Sequence, residues 1–233
     1  MALIKKFKTP EDHYPTNEIF LRAARHIDWT IYDIKKVFTE PAMTKMLPDR
    51  PPGIPTRKTL VLNLKGTLVH QTYKLGVGAE LYKRPGLTAF LSRCSQNYDM
   101  CIFGMGDAGE IMEVCMALDP NQEMIRGMFG RESTALKDGK YIKDLSYLNR
   151  PLKEVLYVDF SDEHVEYQPD NCIILPKFEG DPEDRELLDL IPFLDRKYNC
   201  FDSLITLIDS FIFNCRSCKS SRRREKRAGK IWS

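Results

Sequence analysis

Thr59–His70, with the sequence TLVLNLKGTLVH, sets the architecture expected for the whole chain. Residues 60–62 form an apolar run of strand-forming residues, and Gly66 and Thr67 interrupt that run before residues 68–69 resume it. Short apolar runs bounded by turn residues are typical of buried strands. The pattern therefore predicts a buried strand that ends in a turn.

Three polar side chains, Asn63, Lys65 and Thr67, stand at the predicted end of this strand and on the turn after it. In an open α/β sheet, ligands bind at the carboxyl ends of the strands. We therefore expect the candidate functional site of the protein at this position.

The composition favours one globular domain with extensions. The chain has 233 residues, of which 42% are apolar, so it can bury one substantial core. Its formal net charge is only +2, which gives no global electrostatic argument for a nucleic-acid partner. Seven cysteines, an odd number, are scattered along the chain, several of them in apolar runs, which indicates reduced buried thiols and not a disulfide framework. No run of about 18 apolar residues occurs, so no transmembrane span is predicted in this sequence.

Four segments are expected from the pattern of helix, proline and charge. In the first, an arm is followed by an amphipathic helix, and Trp29 and Tyr32 lie off its apolar stripe and mark a second contact surface. The second is a proline-rich linker, which can hold neither a helix nor a central strand. The segments are residues 1–47 (arm and helix), 48–56 (linker), 57–199 (main domain) and 200–233 (C-terminal helix and basic tail).

The basic tail carries eight Lys or Arg residues between positions 216 and 230 against a single acid. Its densest part is the run Arg222, Arg223 and Arg224. A charge run of this kind is usually a solvated surface, but it could also neutralise RNA phosphates or anionic lipid head groups. The sequence alone does not distinguish RNA from anionic lipid as a partner of this tail.

The order of the predicted elements indicates an α/β fold. Apolar runs alternate with amphipathic helical segments, which implies βαβ units and a Rossmann-like, mainly parallel sheet flanked by helices. A hairpin at residues 70–83 and a turn-rich segment at 128–148 are predicted as insertions over the strand ends. The predicted strands are 59–62, 99–103, 154–159 and 172–175, and the predicted helices are 87–94, 108–118, 183–196 and 200–214.

Several short motifs occur in an order that resembles a known family. They include residues 83–86 (KRPG), 118–120 (LDP) and 143–150 (KDLSYLNR), in addition to the opening stretch. In this set the chain resembles the haloacid-dehalogenase (HAD) superfamily, in the branch related to the phosphatases of the RNA polymerase C-terminal domain. Within that branch it is similar to the presequence-receptor subunits of the mitochondrial inner-membrane translocase. The resemblance implies a HAD-like main domain and a place at the mitochondrial inner membrane.

The catalytic pattern of that family is broken in this sequence. Active relatives read Asp-Leu-Asp-Glu-Thr-Leu, where this chain has NLKGTL at residues 63–68. The amide of Asn63 offers no anionic oxygen to attack phosphorus, and the ammonium of Lys65 cannot replace a carboxyl group as acid and base. The resemblance therefore implies a pseudophosphatase with no catalytic residues, no cofactor and no metal.

The remaining family positions match only in part. Gly104 stands where a phosphate-binding Thr or Ser is expected, and Phe160 stands where an acid or an amide should follow Asp159. Lys143 and Asp159 do match the family. We expect these two to persist as a structural ion pair that also draws in Lys65.

These observations predict a protein-interaction or structural subunit of a mitochondrial inner-membrane assembly. It would be either a presequence-receptor-like part of the import machinery or a structural subunit recruited into a larger assembly. Its partners would be protein subunits of that complex. Two alternatives stay open: an RNA- or ribosome-associated mitochondrial subunit that binds through the basic tail, and a residual Mg²⁺-dependent protein phosphatase. The predicted binding residues are Trp29, Tyr32, Tyr73, Tyr82, Arg222, Arg223 and Arg224.

Overall fold

The structure is a computed structural model that describes residues 40–41, 45–53, 56–74, 78–164 and 166–198. The chain forms two compact units, residues 1–40 and 41–233, and the elements below belong to the second. Several sequence predictions lie outside the described residues: the contact residues Trp29 and Tyr32, the helix at 200–214, and the tail arginines Arg222, Arg223 and Arg224.

Five parallel strands form the central sheet, which confirms the predicted α/β architecture. The elements in chain order are β1 Lys58–Leu62, β2 Val69–Lys74, β3 Gly78–Lys83, α1 Leu87–Asn97, β4 Tyr98–Phe103, α2 Ala108–Leu118, β5 Ile125–Phe129, β6 Ala135–Lys137, β7 Lys140–Ile142, β8 Val155–Asp159, β9 Cys172–Ile174 and α3 Glu186–Tyr198. The strand order is β5-β4-β1-β8-β9, and Leu60 of β1 is opposite Met100 on one side and Leu156 on the other. The opening stretch of the sequence is thus the central strand of the sheet.

The three helices contribute to the core on one face of the sheet. Leu60 and Leu62 of β1 point into this core because alternate residues of a strand face the same side. The helices meet them with apolar stripes at intervals of three and four residues, as the sequence predicted. The stripes are Leu87, Phe90, Leu91 and Cys94 on α1, Ile111 and Cys115 on α2, and Leu187, Leu190 and Leu194 on α3. In the part of the chain that the structure describes, no helix is long and apolar enough to cross a bilayer.

The opposite face of the sheet is covered by irregular segments. Val61 and Tyr157 point into this second core, which is closed by a 3₁₀ turn at Leu145–Leu148 and by Met46 and Leu47. Met46 donates a backbone hydrogen bond to the carbonyl of Tyr147 at 2.8 Å. Residues that precede the proline-rich segment therefore pack against the main domain.

Two antiparallel hairpins extend from the domain. Strands β2 and β3 form the hairpin predicted at 70–83, with Val69 opposite Lys83. The prediction of one insertion over 128–148 is wrong at its start, because Ile125–Phe129 is the edge strand β5 and only β6 and β7 form the inserted hairpin. Strand β5 was missed because Arg126 and Gly127 interrupt its apolar pattern.

Arg84, which is 1% exposed, anchors the hairpin to the strand end. Its guanidinium donates to both carboxylate oxygens of Asp184, at 2.8 and 2.7 Å, and to the carbonyls of Thr67 and Pro176, each at 3.0 Å. The planar fork of arginine matches a carboxylate in this bidentate way, which an ammonium group cannot do. Arg84 therefore fixes the turn that carries Thr67.

Four cysteines in the described part of the chain are free thiols, and all four are buried. Burial raises the pKa of Cys94, Cys101 and Cys115 to about 12, since the thiolate is poorly solvated in the core. At these four positions the sequence prediction of reduced, buried thiols is confirmed. A thiol with a raised pKa stabilises the folded state fully below its unfolded pKa of 9.0, and this stabilisation is lost as the pH rises towards 12.

We predict that Cys101→Ala reduces the loss of unfolding free energy that occurs as the pH rises above 9. At about pH 10.5, one thiol of this kind should account for about 2 kcal/mol of the fall in unfolding free energy. Urea unfolding of the wild type and the variant, under reducing conditions at about pH 8 and about pH 10.5, measures the difference. If the unfolding free energy fell equally in the wild type and the variant between these two pH values, the result would contradict the burial of this thiol.

Candidate functional site

The candidate site lies at the carboxyl ends of the neighbouring strands β1 and β8. Asn63 and Thr67 follow β1, Asp159 ends β8, and Lys143 comes directly after β7. The structure brings these four side chains into one hydrogen-bonded cluster, and Lys65 is not part of it. The strand pattern predicts Asn63 and Thr67 at the carboxyl end of β1, and the family resemblance predicts the pairing of Lys143 with Asp159.

Lys143 is at the centre of the cluster and is completely buried. Its ammonium donates to Asn63 Oδ1 at 3.0 Å, to the Tyr157 hydroxyl at 2.5 Å and to Asp159 Oδ2 at 3.2 Å. An ammonium has three protons, so every one of them has a partner. The predicted ion pair of Lys143 with Asp159 is therefore present.

Asp159 accepts two hydrogen bonds at each carboxylate oxygen. Oδ2 accepts from Lys143 and from the Tyr157 hydroxyl, and Oδ1 accepts from Thr67 Oγ1 at 3.4 Å and from the backbone amide of Phe160 at 2.6 Å. The side chain is only 1% exposed. Its lone pairs are thus occupied from within the protein.

Asn63 completes the network as an amide. Its Nδ2 donates to the carbonyl of Lys65 at 2.9 Å and to Thr67 Oγ1 at 3.1 Å, while its Oδ1 accepts from Lys143. A carboxylate at this position would have no protons for the first two bonds and would place an oxygen against the carbonyl of Lys65. The surroundings of residue 63 therefore fit asparagine and oppose aspartate.

Tyr157 is a member of the network that sequence reasoning missed. It lies within the strand predicted at residues 154–159, and its ring packs in the second core. The signal that could have found it is the two-residue spacing from Asp159, because such residues share one face of a strand. Its hydroxyl joins Lys143 to Asp159 directly.

The electrostatics of the cluster follow from its burial. Desolvation lowers the pKa of Lys143, while the charge of Asp159 and their hydrogen bond act in the opposite direction. Burial raises the pKa of Tyr157 well above its usual value, and the carboxylate of Asp159 adds to this shift. The tyrosine therefore stays protonated at neutral pH and donates to Asp159.

The expectation that Lys65 joins the ion pair is wrong. The ammonium of Lys65 pairs instead with Glu110 Oε1, in the first turn of α2. Asp107 caps the same helix by accepting a hydrogen bond from the Glu110 amide at 2.9 Å. A helix N-terminus attracts anions, and here two carboxylates of the chain occupy this end of α2.

Phe160 and Gly104, two departures from the family pattern, each lie in close packing with a neighbouring residue. The Phe160 ring lies so close to Gly66 that a Cβ on Gly66 would be 2.8 Å from it, and Gly66 has a φ of 79° that glycine adopts without strain. At Gly104, a Cβ would be 2.8 Å from the Ile111 side chain. A threonine or serine at position 104 would restore a hydroxyl and would require the Ile111 side chain to shift.

The residues present do not fit a magnesium ion. Mg²⁺ prefers carboxylate oxygens and waters in an octahedral arrangement. Here the carboxylate of Asp159 and the oxygen of Asn63 already accept hydrogen bonds, and the ammonium of Lys143 lies between them. The described residues contain no group of three or more His, Cys, Asp or Glu residues that could hold a metal ion.

The predicted binding residues Tyr73 and Tyr82 lie on the β2–β3 hairpin and not in the buried cluster. Tyr73 is 75% exposed and Tyr82 is 41% exposed. The Tyr82 hydroxyl donates to Glu80 at 2.6 Å, and its ring lies 6.3 Å from that of His70. The hairpin therefore presents aromatic surface to solvent.

Comparisons with known proteins find similar sequences. The family model for NLI interacting factor-like phosphatases matches residues 58–204. The chain is 44% identical over 163 residues to mitochondrial import inner membrane translocase subunit tim50 of Aspergillus fumigatus, an alignment that covers 70% of this chain and 32% of that protein. It is 41% identical over 189 residues to the tim50 subunit of Emericella nidulans, covering 81% of this chain and 34% of the relative. The chain thus spans about a third of the length of these relatives.

A solved structure is also similar. It is that of Fcp1, described as an essential RNA polymerase II CTD phosphatase, with a TM-score of 0.46 and 17% sequence identity. The match covers 69% of this chain and 54% of the Fcp1 chain.

We predict that Lys143 and Asp159 are strongly coupled in stability. Lys143→Met or Asp159→Asn alone should each lower the unfolding free energy by about 3–5 kcal/mol, because each leaves the other charge buried without its partner. The double variant should lose clearly less than the sum. Urea unfolding of the four proteins forms a double-mutant cycle that measures the coupling.

Tyr157→Phe is the matched control for that cycle. It removes one hydroxyl and leaves both charges in place, so the expected loss is only about 1–3 kcal/mol. Additive losses for Lys143→Met and Asp159→Asn would show that the two side chains do not form the buried pair.

Proposed function

The chain belongs to the NLI interacting factor-like phosphatase family, and from this premise we propose that it is a non-catalytic, protein-binding subunit of the import machinery of the mitochondrial inner membrane. Its phosphatase-like domain would act as a scaffold. The former catalytic position would hold the sheet edge together, and the exposed hairpin would contact partner proteins.

The observation that carries the non-catalytic part is the buried network around Lys143. A phosphotransfer enzyme of this type needs an anionic oxygen that can reach phosphorus and a second group that transfers protons. Asn63 uses its amide to donate two hydrogen bonds, and the ammonium of Lys65 is paired with Glu110. Neither side chain can perform the step that its position performs in an active enzyme.

Access to the site supports the same proposal. Lys143 and Asp159 are at most 1% exposed, and the backbone amide of Lys143 donates to the carbonyl of His164 at 2.7 Å, which holds the loop after β8 beside them. The Phe160 ring packs on the turn at Gly66. A phosphate group would have to displace these contacts before it met any polar side chain.

The import role is supported by the relatives and by the surface of the hairpin. Tyr73, Leu81 and Tyr82 expose large apolar side chains on β2 and β3. Gly180 lies beside His70 of β2, because a Cβ built on Gly180 would be 3.4 Å from the His70 ring. The acidic segment 179–183 therefore flanks the hairpin. Exposed aromatic side chains beside acidic residues favour a protein partner with apolar and cationic residues.

We predict that the protein has no phosphatase activity and gains none from partial restoration. The wild type and the Asn63→Asp/Lys65→Asp variant should both fail to hydrolyse para-nitrophenyl phosphate with Mg²⁺, because Phe160 and Gly104 still deny phosphate a site. The variant should also be less stable, since it adds a buried negative charge beside Asp159. Magnesium-dependent turnover by the wild type, abolished by Asp159→Asn, would refute the non-catalytic proposal.

We also predict that the hairpin is needed for assembly in mitochondria. The full chain, tagged at its N-terminus, should co-purify with channel subunits of the inner-membrane translocase, and Tyr73→Ser/Tyr82→Ser should reduce their recovery by about tenfold, the loss of about 1.4 kcal/mol. Tyr141→Ser, which removes an aromatic ring that is 42% exposed on β7, is the matched control and should not reduce it.

Two results separate the import role from the hairpin contact. A stoichiometric place of the chain in a respiratory, ATP-synthase or ribosomal particle would contradict the import role. Recovery of the translocase subunits that is unchanged by the hairpin substitutions would contradict only the hairpin contact and place the contact elsewhere on the chain.

A further inference from the structure

Strand β5 forms one edge of the central sheet, and in the part of the chain that the structure describes no strand pairs with its outer side. Phe129 accepts a backbone hydrogen bond from Gly104 at 3.0 Å, so its backbone groups point towards β4. Alternate residues of a strand direct these groups to opposite sides, and those of Met128 therefore face outward. An edge of this kind can pair with a strand of another chain.

Arg126 restricts which strand can pair with β5. The register shifts so that Ile125 is opposite Met100 and Gly127 is opposite Cys101, which leaves Arg126 without a partner on β4. The side chain of Arg126 is exposed. A bulge and a charged residue at an edge discourage pairing with an arbitrary strand. A strand that pairs here must therefore fit both the bulge and the positive charge.

Two opposite charges flank β5 at equal distances from its central residue, Gly127. Glu123 comes four residues before Gly127, and Arg131 comes four residues after it. Both side chains are exposed, and neither forms an ion pair with another described residue. The edge therefore begins with an unpaired acid and ends with an unpaired base.

This pattern of charge is complementary to a second copy of itself that runs antiparallel. Most homodimers have a two-fold axis, and an axis at Gly127 places the start of each β5 beside the end of the other. Glu123 of one copy then faces Arg131 of the other copy, and this pair occurs twice. Met128 lies opposite Arg126, whose apolar stem can pack on a methionine. Parallel pairing in register would instead bring like charges together.

We infer that two copies of this chain associate antiparallel through β5, so that their central sheets become one continuous sheet. Met116 and Met128 line the same shallow groove beside the edge, and they are 40% and 38% exposed. A second copy would cover this apolar surface, with the charged pairs at its border, as in other specific interfaces. The inference rests on β5 and its flanking residues and does not depend on the import role.

Sedimentation velocity of the full chain tests for the dimer. The measurement covers protein concentrations from about 1 to about 100 µM, under reducing conditions because the chain has free thiols. We expect a monomer–dimer equilibrium with a dissociation constant on the order of 10 µM, since the paired strand is short and the interface is small.

Charge reversal tests the antiparallel register. Glu123→Arg places two positive charges together at each end of the interface, and Arg131→Glu places two negative charges there. Each variant should weaken its own dimer by about tenfold, because each substitution acts twice in a two-fold interface. An equimolar mixture of the two variants should form heterodimers with the affinity of the wild type, since opposite charges face each other again.

Asp170→Arg is the matched control for these reversals. Asp170 is exposed and lies directly before β9, at the opposite edge of the sheet, so its reversal should leave the dimer unchanged.

Amide hydrogen exchange, measured by mass spectrometry, locates the contact independently of any substitution. Peptides that cover β5 should exchange about fourfold more slowly at about 100 µM than at about 1 µM, which is the change in monomer fraction for a dissociation constant of about 10 µM. Peptides that cover β9 should exchange at the same rate at both concentrations.

Three results would overturn the inference. The first is a chain that stays monomeric at every concentration tested. The second is a dimer that both charge reversals leave unchanged or that gives β5 no protection, which would place the interface on another surface. The third is a mixture of the Glu123→Arg and Arg131→Glu variants that associates no better than either variant alone, which would exclude the antiparallel register.

Discussion

The buried ion pair of Lys143 and Asp159 is the constraint on which the carboxyl edge of the sheet depends. Two opposite charges in a core are tolerated only when each finds its partner and its remaining hydrogen bonds. Here the ammonium uses all three protons and each carboxylate oxygen accepts two bonds. The side chains of Tyr157, Asn63 and Thr67 form hydrogen bonds that Lys143 and Asp159 do not form with each other.

This constraint explains why the site is closed. Asn63 supplies an oxygen to Lys143 and two protons to the turn after β1, so the amide holds the turn close to β8. With Lys65 turned towards α2 and Phe160 packed on Gly66, no charged group of the cluster is left to meet an incoming phosphate. The network therefore ties the carboxyl ends of β1 and β8 together, and the exposed aromatic side chains Tyr73 and Tyr82 lie apart from it on the β2–β3 hairpin.

Much of this fold could be predicted from the sequence, because the signals are local. The apolar runs of β1, β4 and β8 and the periodic stripes of α1 and α2 are visible in short windows. Strand β5 is not visible in a short window, because Arg126 and Gly127 interrupt its apolar pattern. It is recognised as a strand only by its pairing with β4. The pairing of Lys143 with Asp159 followed from the family resemblance, whereas the pairing of Lys65 with Glu110 depends on how α2 sits against the turn.

The role of Tyr157 could not be predicted from the sequence for the same reason, namely that it depends on a contact outside the local window. A tyrosine inside an apolar strand gives no sign of whether its hydroxyl reaches a polar partner, because that depends on residues distant in sequence. Its partner Lys143 precedes it by 14 residues and donates a hydrogen bond to its hydroxyl. The exposure of Met112 on α2, at 54%, was equally hidden, since a methionine at helical spacing usually belongs to a core.

The central claim is that the former phosphate site is a closed structural network, and one titration tests it most directly. Amide NMR spectra of the full chain are recorded while Mg²⁺ and beryllofluoride, an analogue of a phosphoryl group, are added together. The account predicts no saturable shift for the amides of residues 63–67, Asp159 and Phe160. Saturable shifts confined to these residues would mean that the site still accepts a metal and a phosphoryl group, and would contradict it.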